Sequence, residues 1–197
     1  MAKTDYFEML ESLADLVLEA VSAACASCKI DEHVREKKLS ELHLKCEISV
    51  CELETKLFSD FIPPLQRDSI ATYAHSLSRV VDRASDLCVS GVKNRSTIFN
   101  GACDESHTRE VCIRLAEKIV ENTKLLRRLR SPSCVLEVSD FRSTLRQGRE
   151  ASARELHKVR CGVLPALCAD SIYGAERLRY ELSYCFDKLV EIMLNNI

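Results

Sequence analysis

The stretch from Leu39 to Cys88 decides the fold, because two amphipathic patterns flank the break Phe61-Ile62-Pro63-Pro64-Leu65-Gln66-Arg67-Asp68. On both sides of the break, apolar side chains recur every three or four residues, which gives each helix one apolar stripe. Two consecutive prolines cannot continue a helix, so the chain must turn there. The pattern predicts an antiparallel helical hairpin. Its stripes are Leu39, Leu42, Cys46, Val50, Leu53 and Leu57, then Ile70, Tyr73, Ala74, Leu77, Val80, Val81, Ala84, Leu87 and Cys88.

The composition suits a helical protein with a real core. The chain has 197 residues, of which 46% are hydrophobic, 29% charged and only 6% aromatic. A formal net charge of -2 gives no attraction to nucleic acid or to an acidic membrane surface. No apolar run approaches the roughly 18 residues of a membrane span, and an acid stands near the start where a signal peptide would be basic. We expect a cytoplasmic protein, peripheral to a membrane at most, that binds no nucleic acid.

Hydrophobic periodicity predicts six helices and no strands. Gly148, inside the fifth helix, costs about 1 kcal/mol relative to alanine and predicts the close approach of another helix. A turn-rich stretch from Gly91 to Gly101 separates the third and fourth helices. The predicted helices run from about Asp5 to Cys28, Asp31 to Asp60, Asp68 to Val89, Ser106 to the basic run ending at Arg130, Ser131-Pro132 to Gly162 and Pro165, and from near Asp170 onward.

The two halves of the chain resemble each other. Glu8 and the run Leu13-Ala14-Asp15 recur about 102 residues later as Glu110 and Leu115-Ala116-Glu117. Several matches at one offset, on helices of the same order, suggest a duplicated three-helix unit. We therefore predict one domain, residues 1–197, built from two related halves at about 1–100 and 101–197.

Eleven cysteines are present, an odd number that cannot pair completely within one chain. Cys46, Cys88 and Cys185 fall on or beside apolar stripes, where a free cysteine acts as a small hydrophobe. The segment Cys25-Ala26-Ser27-Cys28 has the CxxC spacing of zinc ligands, but no second CxxC accompanies it. Ordinary packing is therefore favoured over a zinc site there.

The hairpin turn, Phe61 to Ile70, resembles the Phe-Ile-Thr-Pro-hydrophobe-Asp-Arg-Glu-Asp-Ile turn of the PhoU-like family. The more similar branch is the shorter one, whose members accompany Pit-type phosphate permeases. The first helix, from Asp5-Tyr6-Phe7 to Leu16-Val17, resembles that branch as well. The resemblance implies an all-α bundle of two three-helix halves and an accessory or regulatory role in phosphate transport.

The resemblance also implies a metal site. The family carries Glu/Asp-x-x-x-Asp motifs that bind multinuclear iron or zinc clusters, and residues four apart share a helix face on which two carboxylates can converge. Matched by position, the first motif falls on His43 and Glu47 and the second ends at Asp82, so the sequence departs from the family pattern. These three could hold one iron or zinc ion at most, so we expect no cluster and no obligatory cofactor.

The second half departs further from the family pattern. It keeps only Glu150 and Asp187 and brings Arg146, Arg149 and Arg179 into the same region. Arginine cannot lose its charge to become a ligand. Ion pairing is therefore expected to replace metal binding in this half.

Three classes of function can be weighed from the sequence. An enzyme is disfavoured, because no glutamate lies three residues before any of the five histidines, as di-iron bundles require, and no phosphate-binding loop or nucleophile elbow is present. The favoured function is a non-enzymatic accessory or regulator of inorganic phosphate transport that docks to a permease or sensor. The alternative is a helical adaptor repurposed for another protein partner. Exposed bundle faces also allow a homodimer, and the oligomeric state stays open.

Overall fold

A computed structural model describes residues 5–26, 32–60, 65–95, 106–128, 134–162 and 168–195. These residues form six α-helices and contain no β-strand, so the predicted all-α fold is confirmed. A short 3-10 turn, Leu126–Arg128, follows the fourth helix. Within the described ranges, none of the helices combines the length and hydropathy that a membrane span requires. The helices are α1 (Tyr6–Cys25), α2 (Glu32–Ser59), α3 (Arg67–Arg95), α4 (Ser106–Leu125), α5 (Cys134–Arg160) and α6 (Cys168–Asn195).

Local signals explain two of the helix ends. Asp5 is the N-cap of α1, and its side chain accepts a hydrogen bond of 3.3 Å from the backbone N–H of Phe7. This bond satisfies one of the donors that a helix start leaves unpaired. After α5, Gly162 adopts a positive φ of 70° and its N–H donates to the carbonyl of Val159 at 3.1 Å. A glycine in the left-handed region is the usual way to end a helix.

The third helix is longer than the sequence predicts. We expected it to end near Val89, but the backbone stays helical to Arg95. One glycine inside a helix costs only about 1 kcal/mol, so Gly91 does not end the helix by itself. The rest of the predicted turn-rich stretch lies outside the described residues, as do Phe61 to Pro64 of the hairpin turn, the helix start at Ser131-Pro132, and Pro165.

The core lies between four central helices, α1, α3, α4 and α6. On the outside, α2 packs against α1 and α3, while α5 packs against α4 and α6. The buried side chains form one continuous cluster that includes residues of all six helices. Both predicted stripes of the first hairpin belong to this cluster, apart from Cys88, whose side chain is outside the described part.

The two sets of three helices have matching lengths. α1, α2 and α3 have 20, 28 and 29 residues, and α4, α5 and α6 have 20, 27 and 28. The middle helix of each set takes the outer position. A duplicated unit would give this arrangement, although the duplication and the division near residue 100 stay predictions. A buried contact of 2.6 Å between the hydroxyls of Tyr73 and Thr123 joins the two sets.

The buried cysteines pack as apolar side chains. Cys46 is 1% exposed and Cys185 is fully buried, as their positions on the stripes predict. Cys25, the first cysteine of the CxxC segment, is buried at the end of α1. Its pKa is lowered chiefly by a side-chain hydrogen bond with Cys112, a buried residue of α4. Cys28 is outside the described residues.

Burial of the Cys46 and Cys185 thiols makes the stability of the fold sensitive to alkaline pH. Desolvation raises the pKa of Cys185 to about 12 and that of Cys46 to about 11, from an ordinary value of 9.0. The unfolded chain therefore loses these protons first as the pH rises. The stabilisation is complete below about pH 9 and falls as the pH approaches the folded values, by up to about 1.4 kcal/mol per pH unit for each thiol.

We therefore expect the free energy of unfolding, measured in urea under reducing conditions, to fall steeply between pH 9 and the folded pKa values. Cys185→Ala should make this fall shallower. Cys161→Ala, which removes an exposed thiol, is the matched control and should leave the slope unchanged. If the free energy of unfolding fell equally steeply with pH in Cys185→Ala and in the parent, the raised pKa of Cys185 would be contradicted.

Candidate functional site

His43 lies between two carboxylates at the contact of α2 with α3. Its Nε2 is 3.3 Å from Glu47 Oε1, and its Nδ1 is 2.9 Å from Asp82 Oδ1. Glu47 follows His43 by one helical turn and so shares its face, whereas Asp82 comes from α3. The side chains of the three residues are 40%, 56% and 46% exposed, in that order. The structure thus brings together the three residues that the sequence singles out.

As arranged, the imidazole of His43 lies between two carboxylates. The two ring nitrogens of His43 face different carboxylates, Glu47 and Asp82. Because the two nitrogens point away from each other, the two carboxylates do not converge on one point. A metal ion needs its donors within about 2.0 to 2.3 Å of a common centre. In the described part of the chain, no group of three or more His, Cys, Asp or Glu side chains could hold a metal ion.

One carboxylate oxygen beside His43 accepts no hydrogen bond. Asp82 Oδ1 is buried and makes no hydrogen bond of good geometry, although His43 Nδ1 is close to it. A buried carboxylate oxygen without an aligned donor is costly unless another group satisfies it. Metal binding by His43, Glu47 and Asp82 stays a prediction, and it would require the imidazole to turn.

Metal analysis of the purified protein tests that prediction. Protein prepared without chelator or metal-affinity steps should hold at most about one iron or zinc ion per chain, because the retained ligand set is so small. A double variant, His43→Ala with Glu47→Ala, should hold none. Several iron atoms per chain, kept by the double variant, would show that the family motifs fall on other residues.

The corresponding positions of the second half hold ion pairs. Arg146 Nε lies 3.2 Å from Glu150 Oε1 on an exposed face of α5. Arg179 is 7% exposed, and its Nη2 lies 2.6 Å from Glu176 Oε2 on α6. Both arginines are ion-paired, as expected, and the loss of a metal site in this half stays a prediction. Asp187 and Arg149 are exposed.

Sequence reasoning missed a second polar cluster, between α3 and α6. Glu181 is 5% exposed, and its carboxylate lies 2.9 Å from Arg79 Nη2 and 3.7 Å from Arg83 Nε. The Arg79 guanidinium also lies 5.0 Å from the centre of the Tyr184 ring, within range of a cation–π contact. Arg79 donates a hydrogen bond of 3.0 Å to Oε1 of Glu181, whereas Oε2 is buried and makes no hydrogen bond of good geometry. The two arginines and the glutamate thus link α3 to α6 across their contact.

A sequence signal for this cluster did exist. Arg79 and Glu181 are 102 residues apart, which is the offset of the predicted internal repeat. Equivalent positions of a duplicated unit meet wherever the two copies pack about a local two-fold axis. The offset alone could therefore have suggested the pair, but only for positions that face that axis.

Comparisons with known proteins agree on the fold. A PhoU-like protein from Shewanella oneidensis MR-1, known from a crystal structure, superposes with a TM-score of 0.65 over 99% of this chain and 99% of its own, at 12% identity. A candidate PhoU-like phosphate regulatory protein from the same organism gives 0.64, with coverage of 100% and 99%, again at 12% identity. No protein-family model matches the sequence, and no curated protein matches it. The chain therefore has the fold of PhoU-like proteins from end to end.

Proposed function

We propose that this protein is a non-enzymatic accessory or regulatory protein of inorganic phosphate transport, which acts in the cytoplasm by docking to a permease or sensor. The observation that carries the proposal is the end-to-end match in fold to two PhoU-like proteins, one of them named as a candidate phosphate regulator. The PhoU-like hairpin turn supports it, and its similarity to the shorter branch favours a Pit-type permease as the partner.

The polar clusters are consistent with a binding role. Arg79 and Arg146 each pair with a carboxylate, and His43 lies between two carboxylates. Surface charges orient a partner and raise the rate of association more than they add affinity. The proposed mechanism therefore needs no reacting group on this chain.

Association with a permease is the direct test. The tagged full-length chain should co-purify with a phosphate permease encoded nearby, from detergent-solubilised membranes, and should not co-purify with an unrelated permease. Deleting the gene should change the rate of phosphate uptake, and the wild-type gene should restore it. Unchanged uptake together with failure to co-purify would overturn the phosphate role.

A second candidate is an adaptor for a protein unrelated to phosphate. The ion pair between Arg179 and Glu176 favours it, because a family carboxylate position has been given to a cation. Crosslinking in cells followed by mass spectrometry separates the two candidates. Crosslinks to a transporter or its sensor support the first, and consistent crosslinks to another protein support the second.

A further inference from the structure

Two buried thiols meet where α1 packs against α4. Cys25 is the last residue of α1 and is 7% exposed, while Cys112 lies in the second turn of α4 and is fully buried. Both belong to the continuous core cluster, and both are free cysteines. A side-chain hydrogen bond joins the two thiols. The two sulfurs are therefore neighbours across the contact of two helices, as a disulfide between those helices requires.

The register of the two helices places these thiols together independently of their hydrogen bond. Arg127, just after α4, has its Nε 2.6 Å from Oε1 of Glu11, in the second turn of α1. The end of α4 thus meets the start of α1, so the two helices are antiparallel and residues at equal distances from this contact are level. Cys25 comes 14 residues after Glu11, and the residue 14 before Arg127 is Ile113, the neighbour of Cys112. Two contacts at opposite ends of the helix pair therefore agree on one alignment.

The surroundings give the two thiols different reactivities. The hydrogen bond with Cys112 is the main cause of the lowered pKa of Cys25, burial opposes it, and the positive charge of Arg109 adds to it. The same hydrogen bond, together with burial, raises the pKa of Cys112 well above its ordinary value. The thiolate, not the thiol, is the nucleophile. Cys25 is therefore the sulfur that attacks an oxidant, and Cys112 is the one that keeps its proton.

The position of Cys25 also provides access and room for a small movement. The backbone leaves the helical conformation at the next residue, Ala26, whose ψ is 145°. Helix ends fray, whereas Cys112 is inside α4 with its Sγ 3.7 Å from the carbonyl oxygen of Ala175. A shift at the end of α1 can therefore bring the sulfurs to the roughly 2.05 Å of a disulfide bond while α4 stays in place. A small oxidant needs to reach only the first thiol, and Cys25 is the one that keeps exposed surface.

We propose that Cys25 and Cys112 are a redox-sensitive pair that forms a reversible disulfide when the protein meets hydrogen peroxide. The bond fastens the end of α1 to α4 and so joins the two sets of three helices covalently. In a reducing compartment such a bond is transient, because thiol–disulfide exchange with cellular thiols restores the pair. The inference does not depend on the proposed phosphate role.

The reaction has two steps, and it oxidises both sulfurs. The thiolate of Cys25 attacks one oxygen of hydrogen peroxide, and the O–O bond breaks. The departing hydroxide takes up the proton that the thiol released, which gives a sulfenic acid on Cys25 and one water. The sulfur of Cys112 then attacks the sulfur of the sulfenic acid, the S–O bond breaks, and the hydroxide leaves as water with the proton of Cys112. One peroxide is thus reduced to two waters while two thiols become one disulfide.

Peptide mapping of the full chain tests the pairing. The reduced protein is treated with hydrogen peroxide, its remaining thiols are alkylated, and it is digested with trypsin without reduction. Trypsin releases Cys25 in the peptide 4–29 and Cys112 in the peptide 110–114. We expect these two peptides to be linked and to separate on reduction. The link should be lost in Cys25→Ala and kept in Cys28→Ala, which removes the other cysteine of the first peptide. Absence of the link in the oxidised parent, or its loss in Cys28→Ala, would overturn the proposal.

Trapping of the intermediate tests the order of the two steps. In Cys112→Ala, the sulfenic acid on Cys25 should persist and react with dimedone, whereas in Cys25→Ala the thiol of Cys112 should stay reduced. A dimedone adduct on Cys112 in that variant would contradict the order.

A matched control removes two exposed thiols by Cys51→Ala with Cys161→Ala, and it should form the link as the parent does. Loss of the link in this control would mean that the bond reaches the pair by exchange, and the proposal would fail. On a non-reducing gel the oxidised parent should run as a single chain, since a link between two chains also excludes the proposed pairing. Circular dichroism melts verify that the variants fold, and the mapping of the parent decides the question where one does not.

Discussion

Phe141→Ala should lower the free energy of unfolding by about 3 to 5 kcal/mol, the usual cost of truncating a buried phenylalanine. Phe141 is 1% exposed on α5, and its ring stacks on that of Phe186 in α6, with centroids 3.5 Å apart and planes inclined by 6°. The substitution removes both the buried area and the ring contact. α5 lies on the outside and packs only on α4 and α6 among its principal contacts, so little else can compensate.

Urea unfolding followed by circular dichroism measures this loss. Phe141→Leu keeps much of the apolar volume and should cost less than about 1.5 kcal/mol. Tyr180→Ala, at a residue of α6 that is 63% exposed, is the control and should change stability by less than about 0.5 kcal/mol. A double-mutant cycle with Phe186→Ala should show coupling between the two rings. A loss of under about 1 kcal/mol for Phe141→Ala would mean that the ring is not buried between α5 and α6.

Most of the fold could be predicted from local patterns, because helices with one apolar face must bury that face. The stripe from Leu39 to Leu57 is buried along its whole length. The end of α3 could not be predicted in this way. The preference of Gly91 for a turn is worth only about 1 kcal/mol, and the structure of the whole bundle overrides it.

The candidate site could be predicted only in part. His43 and Glu47 are one turn apart on one helix, so local spacing shows that they share a face. Asp82 joined them through its position in the family motif, and the structure places it beside His43. The contact between Arg79 and Glu181 depends on how α3 and α6 are aligned, which no local pattern reveals.

Gly148 shows how the second half accommodates its arginine. A Cβ atom added to Gly148 would lie 3.1 Å from Cδ of Arg179 and 2.6 Å from Cγ1 of Val111. The glycine therefore leaves room for α4 and for the stem of a buried arginine that pairs with Glu176. This close approach was predicted from the position of Gly148 inside α5, and it is confirmed. The glycine and the arginine together form a packed, ion-paired structure between α4, α5 and α6.

Gly148→Val should therefore lower the free energy of unfolding by about 3 kcal/mol, at the upper end of the cost of overpacking. Val111 is β-branched and helical, so it has one strongly preferred rotamer and cannot turn its methyl group away. Val111→Ala, which removes both Cγ methyl groups of that side chain, should recover at least about 1 kcal/mol in the Gly148→Val background. Thermal and urea unfolding of the parent, the two single variants and the double variant measure both the loss and the recovery of stability.

Gly174→Ala is the matched control for Gly148→Ala. The Cβ added at Gly174 would lie 2.9 Å from Cδ1 of Leu87. That atom is the end of a flexible side chain, which can move, and alanine gains about 1 kcal/mol of helix propensity over glycine. The control should therefore change stability by less than about 1 kcal/mol. If Gly148→Ala instead gained the full propensity of alanine, α4 and α5 could not cross as closely as the structure shows. The side chain of Arg179 would then fit beside α5 without a glycine at position 148.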